Sequence, residues 1–134
     1  MDILIIFGCL FLPFIFTIFL PMTHKIFRDS FKYFISIICS LGLLVLFAFK
    51  TYSAPEEDKV MYFVSGVTPI TFLILYKIFD LIIIWKFNRH IYFSVNFIGF
   101  KDGESENATW LDILLQLLLY IIPFSWWWVV DLIF

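Results

Sequence analysis

Four long apolar runs separated by short polar links set the pattern of this chain. They are "ILIIFGCLFLPFIFTIFLP" (3–21), "YFISIICSLGLLVLFAF" (33–49), "VMYFVSGVTPITFLILYKIFDLIIIW" (60–85) and "WLDILLQLLLYIIPFSWWWVVDLIF" (110–134). Each approaches or exceeds the roughly 18 apolar residues that cross a hydrocarbon core of about 30 Å. In lipid only helices and closed barrels satisfy their backbone groups, and no train of alternating ten-residue segments suggests a barrel. The pattern therefore predicts an all-α membrane protein: a four-transmembrane-helix bundle in one integral domain, 1–134, with spans over about 3–21, 33–49, 60–85 and 110–132.

The links differ in charge. His24, Lys25, Arg28 and Lys32 follow the first run; Lys86, Arg89, His90 and Lys101 follow the third; between the second and third stand only Lys50 and Lys59. By the positive-inside rule the two basic links face the cytoplasm and both termini lie on the outer side. The acidic stretch "PEEDK" then reads as a solvated outer turn, since adjacent carboxylates diverge unless a fold cages a cation. The first run lacks a basic leader and a small-residue cleavage site, so it reads as a permanent span and not a signal peptide.

The long cytoplasmic loop, 86–109, has two unlike parts. "HIYFSVNF" alternates through Ile91, Phe93, Val95 and Phe97, which suits a strand needing a partner edge, but Ile91, Val95 and Ile98 also suit an interfacial helix or an irregular lid. "KDGESENAT" is a polar turn in which Asn107 or Thr109 can cap the fourth helix. His24 and Lys25, like Arg89 and His90, read as solvated loop residues.

Charges inside the runs carry the sharpest question. If the third helix leaves the membrane near Lys86, Asp80 lies about 9 Å and Lys77 about 13 Å below the interface. On the fourth helix Asp112, Gln116 and Tyr120 recur every four residues on one face, at about 3, 9 and 15 Å. Asp80 then shares a level with Gln116, and Lys77 nearly does with Tyr120. A buried Asp or Lys costs about 3 kcal/mol to insert unless it is neutralised, paired or hydrated. Two arrangements meet that cost. Lys77, Asp80, Asp112, Gln116 and Tyr120 form an intramembrane polar cluster, or the membrane ends near Tyr76 and the charges sit at the interface on a protruding helix. "SGVTPIT" (65–71) is the expected site of a local helix break.

Composition adds exclusions. The chain is 63% hydrophobic and 22% aromatic at net charge -2, without the basic patch that a nucleic-acid partner requires. Cys9 and Cys39 lie in separate runs and read as small buried hydrophobes. No metal-ligand spacing, nucleophile motif or phosphate loop occurs, so no enzyme activity, metal or cofactor is expected. "SWWWVVD" suits an interfacial aromatic belt or an anchor for a partner.

The expectation that follows is a non-enzymatic multi-span protein of a bacterial inner (cytoplasmic) membrane. It acts by binding another integral membrane protein, as a complex subunit, accessory factor or immunity-type inhibitor, or by self-association. The expected partner surface is Trp126, Trp127 and Trp128 with Ile91, Phe93 and Val95. The alternative is an oligomeric ion or small-solute transporter that uses the Lys/Asp/Gln cluster.

Overall fold

The computed structural model describes residues 2–15, 23–94 and 101–134. All regular structure among them is helical. The elements are α1 (Asp2–Phe14), a 3-10 turn (Thr23–Arg28), α2 (Ser30–Ser53), α3 (Glu56–Phe87), the single turn α4 (Gly103–Glu106) and α5 (Trp110–Asp131). Three helices, α2, α3 and α5, are long and apolar enough to cross a membrane. The described part of the first run is shorter: α1 has 13 residues, which is about 20 Å, and 16–21 of the expected span lie outside the described residues.

Capping sets the helix boundaries. At the start of α2 the Asp29 carboxylate accepts hydrogen bonds from the backbone N–H groups of Phe31 (3.0 Å) and Lys32 (3.1 Å). Glu56, Glu57 and Asp58 form the first turn of α3 behind Pro55. Residues 56–59 of "PEEDK" are therefore helical and not a loop, though Glu56 and Glu57 stay exposed as expected; carboxylates at a helix N-terminus face the positive end of its dipole. At the other end of α3, Asn88 takes a left-handed conformation (φ 54°) and donates its N–H to the Ile84 carbonyl. Asn is among the few residues that tolerate this geometry, and the chain turns back on itself there.

α3 is the central helix: α1, α2 and α5 pack on it, and α2 and α5 do not pack on each other among the described residues. It continues unbroken through Pro69, so the expected break at 65–71 does not occur. The Ser65 and Thr68 hydroxyls bond to the carbonyls one turn back, of Met61 (2.6 Å) and Val64 (2.8 Å), which satisfies them inside the bundle. Gly66 serves the close approach of α2: a Cβ placed there would stand 2.9 Å from Phe47 Cβ. Gly66→Val is expected to destabilise the bundle by about 2 kcal/mol through overpacking, read as a lowered thermal midpoint in detergent. Ala normally stabilises a helix over Gly by up to about 1 kcal/mol, so a stabilising Gly66→Ala would disprove the tight contact.

The core gathers at the end of the bundle that carries the basic links. Phe27 of the 3-10 turn meets Phe72 and Tyr76 edge-on, at 6.0 and 5.5 Å between ring centroids. Leu115 and Leu119 of α5 close the same cluster. Ile91 and Phe93 are buried within it, and Phe93 stands edge-on to Tyr76 at 6.0 Å. Residues 91–94 form neither strand nor helix. This irregular backbone enters the bundle, where Ile91 and Phe93 gain more by burial than an interfacial position would give them. Of the alternatives for this stretch, residues 91–94 take the irregular one, and Ile91 and Phe93, expected in a partner surface, are buried in the core; Val95 lies outside the described residues.

A candidate functional site: the clamped connection after α3

A non-helical segment inside a helical bundle has polar backbone groups with no ladder to join, and each must find a side chain or water. Here they find carboxylates. The left-handed turn at Asn88 sends Arg89, His90, Ile91 and Tyr92 back along the last turns of α3 and the first turn of α5. Asp80 faces this segment from α3 and Asp112 faces it from α5, and the two carboxylates are 1% and 0% exposed.

The two aspartates divide the work. Asp80 Oδ1 accepts the Ile91 N–H at 2.8 Å, and Oδ2 lies 2.9 Å from His90 Nδ1. Asp112 takes the Arg89 guanidinium in a two-pronged pair, Nη1 to Oδ1 at 3.1 Å and Nη2 to Oδ2 at 2.7 Å. The same carboxylate accepts the Tyr92 N–H (3.1 Å), the Thr109 N–H (2.8 Å) and the Thr109 hydroxyl (2.7 Å). Asp112 therefore closes the cap of α5 behind Thr109 and ties the connection to it. Five donors on one carboxylate are enough to offset the loss of its hydration.

A second tie comes from the link between α1 and α2. Arg28 Nη2 donates to the Ile91 carbonyl at 2.9 Å, and its guanidinium pairs with Glu104 at 2.8 and 2.9 Å. Lys25 reaches Asp102 at 3.2 Å and Glu104 at 3.5 Å. Asp102 caps α4 by accepting the Ser105 N–H (2.6 Å). That hydrogen bond, joined by the Lys25 ammonium and opposed by partial burial, holds the Asp102 carboxyl below the usual carboxylate range. Both backbone groups of Ile91 are thus held by charge, the N–H by Asp80 and the carbonyl by Arg28. The two basic links, well separated in sequence, close as one polar cap over the aromatic core.

The structure brings only part of the expected cluster together. Asp80 and Asp112 grip the same four-residue segment. Gln116 and Tyr120 are buried one and two turns further into α5, where Gln116 Nε2 donates to the Tyr120 hydroxyl at 2.8 Å. Lys77 is turned away from Asp80: its ammonium lies 5.4 Å from the centre of the Tyr33 ring on α2, a cation–π contact, and Tyr33 in turn donates to the Leu73 carbonyl at 2.9 Å. Arg89, His90 and Lys25, expected to be solvated, hold carboxylates, as does Arg28; the side chain of His24 lies outside the described residues. One signal was available in the sequence. The second basic link carries Asp102 and Glu104, counter-charges for Lys25 and Arg28 of the first, and Arg89 and His90 follow a helix that ends at Asn.

At the far end of α5 the three tryptophans separate. Trp126 turns inward and donates its indole N–H to Thr71 Oγ1 of α3 at 3.1 Å. Trp127 and Trp128 point outward, 40% and 77% exposed. Comparison with protein-family models, with curated proteins and with solved structures finds no match to this chain.

Proposed function

We propose that this is a non-enzymatic integral membrane protein that acts by binding another integral membrane protein through its spans. On this reading it is a subunit, accessory factor or immunity-type inhibitor in a bacterial inner membrane. The observation that carries the reading is the outward aromatic ridge of Trp127 and Trp128 on α5, which the described helices leave exposed. Trp128 flanks a groove of 220 Å³ whose walls are Ile121, Phe124 and Ser125. Large, stiff aromatic side chains beside a groove are what the energetic centres of protein interfaces are built from. Support also comes from the polar cluster, because Asp80 and Asp112 are engaged in holding the connection after α3.

The topology proposed with it takes 3–21 as a fourth span and sets both termini on the outer side, as the six Lys and Arg of the two basic links favour. Reporter fusions at Phe134 check this, and a cytoplasmic signal there would reverse the orientation. A photo-crosslinker at position 127 or 128 in native membranes is expected to capture one defined membrane protein. Recovery of lipid alone would sink the binding reading. Ion or solute flux in proteoliposomes that disappears in Lys77→Ala would instead favour the transporter.

A further inference from the structure

The flanking helices are offset along α3. Tyr33 bonds to the Leu73 carbonyl and Lys77 lies over the Tyr33 ring, so α2 begins roughly level with Lys77. α5 begins higher: Lys86 Nζ lies 5.9 Å from the centre of the Trp110 ring. From Lys77 to Trp85 α3 therefore rises about 12 Å beyond the start of α2, accompanied among the described residues by α5, the polar cap and the clamped connection.

A protruding stub in water would be polar on its outer faces. This one is apolar. Ile78, Leu81 and Ile82 of α3 and Ile113, Leu114 and Leu117 of α5 are all exposed, and above them Trp85 and Trp110 are 88% and 69% exposed. Lys86 stands between the Phe87 and Trp110 rings, at 5.5 and 5.9 Å, and no carboxylate pairs with it among the described residues. Two exposed indoles at one height, an uncompensated ammonium beside them and a continuous apolar face below match the order of groups through a lipid headgroup layer.

We propose that the bilayer covers this corner of α3 and α5 up to a rim formed by Trp85, Lys86 and Trp110, with the Lys86 ammonium on a lipid phosphate. The apolar stretch of α3 from 60 to 85 is then fully immersed. Its length of about 39 Å in a core of about 30 Å requires a tilt near 40 degrees, the upper end of what spanning helices adopt. The tilt places the lower start of α2 and the higher start of α5 at one interface. It also puts Asp80 and the clamped segment at membrane depth, where irregular backbone survives only inside protein.

Spin labels at Leu81→Cys and Trp85→Cys, in a Cys9→Ala, Cys39→Ala background reconstituted into pure phospholipid vesicles, test this. Oxygen collisions are expected to exceed those with a water-soluble nickel chelate at 81, and the two to be comparable at 85. Ile113→Cys and Trp110→Cys repeat the pair on α5, so one misfolded variant does not decide the matter. A label at 81 and 113 that meets the chelate freely would overturn the proposal. Shielding found in native membranes but lost in pure lipid would overturn it too, since a protein would then be the cover. Lys86→Gln is expected to reduce the chain's preference for anionic phosphatidylglycerol over zwitterionic phosphatidylcholine; an unchanged preference would mean that Lys86 holds no anionic headgroup.

Discussion

Asp112→Ala is expected to lower the stability of the bundle by about 3 kcal/mol, at the lower end for a broken buried ion pair because Arg89 can still reach water. The carboxylate is fully buried while the Arg89 side chain is 20% exposed. Its loss removes the two-pronged pair and strands the N–H groups of Tyr92 and Thr109 together. Asp112→Asn is expected to cost nearly as much. An amide directs two N–H donors into a site where every neighbour is already a donor, whereas a carboxylate accepts on both oxygens. Arg89→Ala is expected to be milder, because Asp112 keeps its three bonds to Tyr92 and Thr109. Thermal unfolding in detergent measures all three, and an Asn variant as stable as the parent would show that the carboxylate's charge is dispensable.

The second large effect falls on Asp80. Asp80→Ala leaves the N–H of the fully buried Ile91 without its acceptor, a loss of about 2 kcal/mol for an unsatisfied buried donor. Here the conservative variant should behave differently. In Asp80→Asn the amide oxygen can still accept from Ile91, and the amide nitrogen can donate to His90 Nδ1 in the tautomer that leaves that atom unprotonated. Most of the stability is therefore expected to return. Hydrogen exchange gives the local readout: Asp80→Ala should release the amides of Ile91 and Tyr92 while those of α2 stay protected. Uniform loss of protection across the helices would mean that Asp80 holds the whole bundle and not this connection.

These contrasts explain why the site was only half visible in the sequence. Asp80 and Asp112 stand out as charges inside apolar runs, and their depth follows from helix rise. Their partners do not stand out. Lys77, three residues from Asp80 and on paper its natural counter-charge, turns to Tyr33 because α2 packs on that face of α3. Asp80 is satisfied by a segment that reaches it only after the chain has reversed at Asn88. Arg28 and Glu104 are 76 residues apart, beyond anything a periodic pattern can relate. The aromatic end shows the same limit. Three adjacent tryptophans look equivalent, yet Thr71 on the neighbouring helix takes the indole N–H of Trp126 and leaves Trp127 and Trp128 outside.

Hydropathy was sufficient for an all-helical chain with three helices long and apolar enough to cross a membrane, and capping preference narrowed the start of α5 to Asn107 or Thr109, of which Thr109 is the cap, because both signals act within one stretch of chain. It predicted a fourth span over 3–21, of which residues 3–14 are helical. The offset of α2 against α5, the entry of Ile91 and Phe93 into the core and the choice of partner for each buried charge were decided by packing between helices. Those choices compare the cost of stranding a polar group across alternative neighbours. The neighbours exist only once the helices have assembled.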